Sequence, residues 1–261
     1  MVRANVREMR ERITEGLRAA ADVILPRTCT VCGTRLNLNE RHLCLHCMAE
    51  LPLTYFWERS HNPMADRFNL MIEQGVDSYL TEGRLERYAF AAALFFYDGE
   101  GDYRKIPHQL KYHGNLSLGR HFGRMLGIRL RSSECFKNVD AVIPVPLHWT
   151  RRWKRGYNQA EVIAEEVAHE LGAFMRTDIL RRSRRTRTQT KVSPEEKAAN
   201  VKGAFEADIV RALEDNLRHI LLVDDVFTTG STLHNCFLAL RAVLPVSVRI
   251  SVATLGFVGG A

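Results

Sequence analysis

The chain has 261 residues, of which 46% are apolar and 26% are charged, with 17 glycines and 8 prolines. This composition is typical of a globular protein and excludes collagenous, fibrous and intrinsically disordered classes. The longest apolar run, residues 88–97, is about half as long as the ~20 residues that a membrane-spanning helix needs, so we do not expect an integral membrane protein.

The formal net charge of +7 is concentrated in two short stretches. Residues 151–155 carry +4 and residues 176–191 carry +6, so the rest of the chain is net negative. Basic stretches of this kind predict a partner that is rich in phosphate groups. The alternative is a solvated face whose charges are partly paired in salt bridges.

The first 25 residues mix apolar and charged side chains. Apolar residues recur at steps of three and four, which predicts an amphipathic helix over 5–24 that ends before Pro26. Because arginines and glutamates are spread through this segment, it is unlike a secretory signal peptide. We therefore expect a cytoplasmic protein whose six cysteines serve as metal ligands or core residues and not as disulfides.

Two C-x-x-C pairs follow, formed by Cys29 with Cys32 and by Cys44 with Cys47. Four thiolates at this spacing predict a closed tetrahedral zinc site that holds a small module together and does no chemistry. His42 and His46 lie in the same segment, so one of them could replace a cysteine as a ligand. The alternative without a metal is a set of reduced core cysteines.

We divide the chain into a helix and zinc module over 1–52, a connector over 53–87 without clear elements, and a larger domain over 88–261. In the larger domain, apolar runs alternate with amphipathic stretches, which predicts an α/β fold with an open, mostly parallel sheet and flanking helices. The predicted strands span 90–97, 141–145, 174–180, 219–223 and 246–254, and the predicted helices span 116–131, 158–171 and 231–243.

The segment 219–232 carries the clearest functional signal. An apolar strand ends in Asp224 and Asp225, and a turn rich in hydroxyls and glycine then leads into a predicted helix. Backbone N–H groups at a helix start bind anions, and carboxylates accept hydrogen bonds from sugar hydroxyls. The segment therefore predicts a sugar-phosphate site whose phosphate contacts are Thr228, Thr229, Gly230, Ser231 and Thr232.

This segment resembles the 13-residue signature of the type I phosphoribosyltransferases, which spans 220–232 here. The chain as a whole resembles the ComF (ComFC-like) family, competence-associated proteins that join a four-cysteine zinc module to a phosphoribosyltransferase-like domain. Besides the cysteines and the signature, the matching pieces are Tyr97-Asp-Gly, Leu110-Lys-Tyr-His-Gly114, Pro144-Val-Pro-Leu-His148, Arg155-Gly-Tyr-Asn-Gln159, Thr186-x-x-Gln189 and Asn200-Val-Lys-Gly-Ala-Phe205.

The resemblance implies binding of 5-phosphoribosyl 1-diphosphate (PRPP) together with Mg²⁺. Asp224 and Asp225 would then contact the ribose, and the turn that follows would contact the 5-phosphate. The resemblance also implies a pyrophosphate loop with Pro144, Val145, Pro146, Arg151 and Arg155, and a mobile loop with Thr186 and Gln189. It assigns no catalytic residue and no acceptor substrate.

Aromatic residues interleave with the first basic stretch, namely Trp149, Trp153 and Tyr157. This spacing suits stacking of the bases of single-stranded DNA, although it also suits packing against a neighbouring helix. We expect a PRPP-binding protein, leaning towards a phosphoribosyltransferase, that also binds single-stranded DNA. The family resemblance implies a role in DNA uptake and natural competence, with proteins of the uptake machinery as partners. The alternative is a non-catalytic nucleic-acid-binding protein that uses the same fold as a ligand sensor.

Overall fold

The computed structural model describes residues 26–75, 85–97, 101–183, 204–213 and 217–259. The helices are α1 (Leu45–Ala49), α2 (Pro63–Gly75), α3 (Lys105–Tyr112), α4 (Leu116–Arg131), α5 (Trp149–Arg155), α6 (Gln159–Leu171), α7 (Ile209–Leu213) and α8 (Ser231–Arg241). The strands are β1 (Ala91–Phe96), β2 (Ala141–Pro144), β3 (Phe174–Met175), β4 (Leu180–Arg182), β5 (Phe205–Ala207), β6 (His219–Phe227) and β7 (Arg249–Phe257). The predicted helix over 5–24 lies outside the described residues.

Five strands form one parallel sheet in the order β1-β7-β6-β2-β3. In the centre of the sheet, Leu222 of β6 pairs with Val252 of β7 on one side and with Ile143 of β2 on the other. Residues 219–223 are all buried, as expected for a parallel strand that is covered on both faces. The predicted fold class, an open parallel α/β sheet with a separate four-cysteine module, is confirmed.

Helices α4 and α6 pack closely against each other on one face of the sheet. A side chain at Gly123 would lie 3.0 Å from a backbone carbonyl of α6, and one at Gly127 would lie 2.8 Å from Cβ of Glu170. These two glycines therefore set the distance between the helices. Since α6 also contacts β2 and β6, this packing fixes the position of its first residues beside the carboxyl end of β6.

The other face of the sheet is covered by α2 and α8. Phe68 of α2 makes edge contacts with Phe237 of α8 and with Phe227 of β6. Helix α2 lies in the segment 53–87, for which the sequence predicted a connector without clear elements. The structure adds a helix to this segment, and the apolar side of that helix is buried against β1 and α8.

Three predicted strands differ from the structure by more than one residue at an end, among them the strand predicted over 246–254, which is β7 at Arg249–Phe257. The predicted strand 174–180 is two strands, since β3 ends at Met175 and β4 pairs antiparallel with β5. The break follows from a turn in which Arg176 Nε donates to Asp178 Oδ1 at 3.0 Å. Strand β6 continues four residues beyond its predicted end at Val223, because β7 runs beside it as far as Phe257.

The four-cysteine segment packs against the start of α3. Lys105 Nζ donates to the carbonyl oxygen of Val31 at 2.5 Å, and the Tyr103 hydroxyl donates to the carbonyl oxygen of Cys47 at 2.9 Å. Two bonds from one short stretch thus join the module to the larger domain. In the described ranges, no helix combines the length and the apolar character that crossing a bilayer requires.

Candidate functional site

The sulfur atoms of Cys29, Cys32, Cys44 and Cys47 all lie within 4.8 Å of one another. Four sulfurs bound to one zinc ion at about 2.3 Å would be separated by about 3.8 Å, and the Cys32 and Cys44 sulfurs are 3.7 Å apart. The backbone N–H of Cys47 donates to Cys44 Sγ at 3.4 Å, as in a tight metal-binding turn. The four sulfurs therefore fit one tetrahedral ion with no position left for a substrate.

The two histidines of this segment have other partners. His42 Nε2 lies 3.2 Å from Ser117 Oγ, and burial lowers the pKa of His42 to about 4. His46 is exposed and pairs with Glu50 at 3.2 Å. Within the described residues, the group that could hold a metal consists of the four cysteines alone, so the geometry favours a four-cysteine site over one with a histidine ligand.

The turn between β6 and α8, residues 228–232, lies at the carboxyl end of the central strand. We call it the cradle. Helix α8 begins at Ser231, as predicted, and the hydroxyls of Thr229 and Ser231 lie 3.0 Å apart. Among the described residues, no hydrogen-bond acceptor faces the backbone N–H groups of Thr228, Thr229 or Gly230. These three donors are therefore available to an anion at the start of the helix.

Gly230 has a φ of +82°, a backbone conformation that residues with side chains rarely adopt. A Cβ atom at this position would lie 2.5 Å from the Phe227 ring and 3.0 Å from Met71 Sδ. Glycine is therefore required here by the turn and by its packing on α2. Gly230 is among the predicted phosphate contacts, and a side chain at this position would point towards the core.

Asp224 and Asp225 are the last polar residues before the end of β6. The Asp225 carboxylate is buried and lies 3.0 Å from Lys111 Nζ. Gln159 Nε2, at the start of α6, donates to the same carboxylate at 3.4 Å. An acidic group is thus held at the bottom of the site by residues from α3 and α6.

The two neighbouring carboxylates influence each other. Burial and the charge of Asp225 raise the pKa of Asp224 to about 7, against the opposing effect of Lys111. Burial disfavours the charge of Lys111, but the Asp225 carboxylate outweighs it and raises the pKa of Lys111. Near neutral pH Asp224 is therefore only partly ionised, and its ionisation has a cost in free energy for the fold. A bound cation or hydrogen-bond donor would favour the ionised form.

The loop after β2 forms the opposite wall. Val145 N donates to the carbonyl oxygen of Val223 at 2.9 Å, and Asn158 Nδ2 donates to the carbonyl oxygen of Val145 at 3.0 Å. The loop is therefore fixed by β6 on one side and by the cap of α6 on the other. It leads through Pro146 into α5, which carries four basic residues.

These elements enclose a cavity of about 270 Å³. Of the predicted contact residues, the cavity wall includes Val145, Pro146, Arg151, Arg155, Asp224, Asp225, Thr228 and Thr232. It shares Lys111, Tyr112, Arg151 and Arg155 with a second cavity of about 470 Å³, whose wall also includes Lys154 and Tyr157. Cations, carboxylates and hydroxyls from four separate segments thus meet at one place, as a sugar phosphate with a diphosphate group would require.

Several polar residues of this cavity are not among the predicted contact residues, among them Lys111, Tyr112, Gln159 and Arg182. Lys111 lies in the Leu110-Lys-Tyr-His-Gly114 piece of the family resemblance, which was the only signal for it. Arg182 enters from the β4–β5 pair, and burial followed by the nearby charge of Arg151 lowers its pKa. Thr186 and Gln189, predicted in the mobile loop, lie outside the described residues.

The second basic stretch is partly paired. Arg181 Nη2 lies 2.8 Å from Glu206 Oε2, and Arg176 pairs with Asp178. The alternative of a salt-bridged face therefore holds for part of this stretch. Of the described residues between 176 and 183, Arg182 is the one that joins the cavity.

The aromatic residues of the first basic stretch fall into two groups. Trp149 and Trp153, on the same side of α5, are 69% and 88% exposed. Tyr157 is half-buried, and its hydroxyl donates to the carbonyl oxygen of Leu110 in α3. The packing alternative thus applies to Tyr157, and the two tryptophans form an exposed aromatic surface beside the cavities.

No protein-family model matches the chain. Competence protein F of Haemophilus influenzae is 34% identical over 136 residues, which cover 51% of this chain and 59% of that protein. DNA utilization protein YhgH of Salmonella typhimurium is 34% identical over 131 residues, which cover 49% of this chain and 56% of YhgH. The chain therefore spans little more than half the length of these curated relatives.

Among solved structures, the chain is similar to a glutamine PRPP amidotransferase from B. subtilis, which was solved in complex with ADP and GMP. The superposed part covers 52% of this chain and 26% of the amidotransferase chain. The TM-score is 0.34 and the sequence identity is 20%, so the fold of this chain follows from its own sheet topology and not from this likeness. Over about half of its length, this chain is similar to competence protein F and to DNA utilization protein YhgH, which confirms the ComF resemblance that its motifs indicate.

Proposed function

We propose that this protein binds PRPP with Mg²⁺ at the carboxyl end of β6. The observation that carries the proposal is the convergence of two carboxylates, several cations and two residues of the cradle, Thr228 and Thr232, on one cavity. Calorimetric titration of the full chain with PRPP and Mg²⁺ tests it. Saturable binding is expected, and a flat titration at millimolar PRPP would overturn the proposal.

In this proposal, the cradle binds the 5-phosphate through its N–H groups and hydroxyls, and Asp224 and Asp225 accept hydrogen bonds from the ribose hydroxyls. Arg151, Arg155 and Arg182 neutralise the diphosphate from the other side of the cavity. A bound Mg²⁺ would neutralise further charge on the departing diphosphate, and the carboxylates of Asp224 and Asp225 suit such a hard cation.

We further infer that the chemistry, if turnover occurs, is cleavage of the bond between ribose C1 and the diphosphate, with attack by an acceptor at C1. The described residues of the cavity contribute orientation and charge stabilisation, since none of them is placed as a covalent nucleophile. The acceptor would enter through the second cavity beside Tyr112. A protein that senses PRPP without turnover remains the alternative, and release of pyrophosphate on addition of an acceptor distinguishes the two.

The four-cysteine site fits a structural zinc ion, and we propose that zinc occupies it. The relatives are described as a competence protein and as DNA utilization proteins. We therefore propose a cytoplasmic role in DNA uptake and natural competence, together with proteins of the uptake machinery.

Replacing Lys111 with methionine should weaken PRPP binding by about tenfold. In the free protein the Lys111 ammonium pairs with Asp225. A bound ribose would take over the Asp225 carboxylate, so the ammonium could turn towards the diphosphate. One charged hydrogen bond there contributes about 1.5–3 kcal/mol to binding. Ribose 5-phosphate serves as the control ligand, because it lacks the diphosphate. Calorimetry should show unchanged or tighter binding of ribose 5-phosphate, and an equal loss for both ligands would contradict this role of Lys111.

Replacing Asp224 with asparagine should change PRPP binding and the stability of the fold in opposite directions. The pKa of Asp224 is raised in the folded protein, so the wild-type protein loses stability as pH rises from about 4 to about 7, where the buried group must ionise. Asparagine removes this loss. Thermal unfolding should therefore show a higher midpoint than wild type at pH 8, with a smaller difference at pH 4, while calorimetry shows weaker PRPP binding. An equal difference in midpoint at both pH values would contradict this titration.

Single-stranded DNA is the second proposed ligand, and the exposed tryptophans of α5 favour it. Replacing both Trp149 and Trp153 with alanine should weaken binding of a fluorescent oligothymidylate by about tenfold or more, since base stacking contributes about 1–3 kcal/mol per base. The matched control replaces both with phenylalanine, which retains an aromatic face and should restore most of the affinity.

The affinity of the wild-type protein for the oligonucleotide should also fall steeply as salt rises, because DNA phosphates release counterions when they meet the basic residues of α5. Fluorescence anisotropy at several salt concentrations measures both effects. Absence of binding at low salt, or equal affinities for the alanine and wild-type proteins, would remove α5 as a DNA-binding surface.

A further inference from the structure

A second large cleft lies at the opposite end of the sheet from the cradle. It has a volume of about 910 Å³ and is formed where β1, β2, β6 and β7 begin. Strand β6 has nine residues, so the cleft and the cradle are separated by about 26 Å along the strand. We call it the amino-end cleft. Neither the proposed PRPP site nor the tryptophan surface of α5 includes any of its residues.

The amino-end cleft has an excess of positive charge. Its basic residues are Arg87, Lys137, Arg218 and Arg249, and its acidic residues are Glu134 and Asp140. Lys137 pairs with Glu134, so their charges offset each other. Asp140 Oδ2 accepts hydrogen bonds from the backbone N–H groups of Arg218 and His219, both at 2.8 Å. Glu134 is therefore paired with a lysine, and Asp140 accepts hydrogen bonds from the backbone.

Three guanidinium groups remain in the cleft. Within the part of the chain that the structure describes, no carboxylate lies within 4 Å of the guanidinium of Arg87, Arg218 or Arg249. Arg87 donates to the carbonyl oxygen of Ser247 at 2.9 Å, while Arg249 Nε is buried without a hydrogen-bond partner. Arginines that face one cavity without carboxylate partners repel each other, and a bound anion would relieve that repulsion.

The walls of the cleft also offer apolar surface. The Arg249 guanidinium lies 4.1 Å from the centre of the Phe90 ring, and this contact fixes the orientation of the guanidinium. Val139 and Leu171 extend the apolar wall. His219 is buried and bonded to Ser251, and burial together with the charge of Arg249 lowers its pKa to about 4, so it adds no charge at neutral pH. A lone inorganic anion would use only a small part of such a space.

We propose that the amino-end cleft binds a nucleotide, with its phosphate at Arg87, Arg218 and Arg249 and its base against the apolar wall of Val139 and Leu171. Guanidinium groups suit phosphate oxygens because they donate two parallel hydrogen bonds, and an apolar wall beside them suits the face of a base. A free mononucleotide and a nucleotide within a single strand share this chemistry. The proposal does not depend on PRPP binding, because the cleft shares no residue with the cradle.

The test is an amide NMR titration of the ¹⁵N-labelled full chain with adenosine 5′-monophosphate. Saturable changes in chemical shift are expected for the amides of Asp140, Arg218 and His219, because these three residues line the cleft. Amides of the cradle report separately on the PRPP site, so failure of one site is distinguishable from failure of the other. Titration with a short oligothymidylate distinguishes the sources, since a strand ligand would shift the same amides at lower concentration than the mononucleotide.

The variant Arg218→Gln should weaken this binding by about tenfold, because it removes one charged contact from an exposed residue with little consequence for the fold. The matched control is Arg120→Gln, which removes the same charge from the exposed side of α4 and should leave the affinity unchanged. Absence of shifts at the cleft amides with either nucleotide probe, or equal affinities for Arg218→Gln and wild type, would overturn the proposal. Equal affinity for inorganic phosphate and the mononucleotide would also overturn it.

Discussion

Replacing Asp225 with asparagine is expected to weaken PRPP binding by about ten- to a hundredfold while the fold is retained. The carboxylate of Asp225 is only 4% exposed and is held by Lys111 and Gln159 at the point where a ribose would lie above the cradle. Asparagine has the same shape but loses the charge, and charged hydrogen bonds contribute about 1.5–3 kcal/mol each. Calorimetry with PRPP and Mg²⁺ measures the loss.

The matched control for this variant is Asp178→Asn. Asp178 is also paired with arginines, but it lies in the turn between β3 and β4 and outside both cavities. This control should bind PRPP like the wild-type protein. If Asp225→Asn bound PRPP with unchanged affinity, the carboxylates would not contact the ribose and the proposed pose would be wrong.

The second large effect is expected at the four-cysteine site. Replacing the buried Cys47 with serine should reduce bound zinc from about one ion per chain to nearly none and unfold residues 29–47 before the rest of the chain. The reason is that structural zinc contributes on the order of 10 kcal/mol to the folding of a small module. Elemental analysis measures the metal, and hydrogen exchange locates the unfolded segment.

Cys135→Ser is the control, because Cys135 is a free cysteine that lies outside the four-sulfur group. It should leave the zinc content and the exchange pattern unchanged. Zinc-free wild-type protein, purified without chelator and with residues 29–47 protected from exchange, would contradict a structural role for the metal.

The sequence was sufficient for those features that depend on local patterns. Cysteine spacing located the four sulfurs, and the acidic pair followed by a glycine-containing turn located the start of α8 at Ser231. Both depend on residues that are close together in the chain. Strand β6 was predicted too short, because its last four residues are extended by pairing with β7, a partner distant in sequence.

The cations of the cavity were harder to predict. Lys111 lies 114 residues before Asp225 and Arg182 lies 43 residues before it, so no local pattern connects them with the acidic pair. Only the packing of α3 and of the β4–β5 pair brings them to the site. Side chains that reach a site through tertiary packing alone become visible once the fold is known.

Helix α3 is bonded at both of its ends. Its first residue, Lys105, donates to Val31 in the four-cysteine segment, and its last turn carries both the carbonyl that Tyr157 binds and the ammonium of Lys111 that pairs with Asp225. Loss of the metal would therefore displace a wall of the proposed PRPP cavity some distance away. Protein that has lost its zinc on an affinity column would then fail to bind PRPP even if the PRPP cavity is assigned correctly. The metal content of each preparation must therefore be measured before a negative binding result is attributed to that cavity.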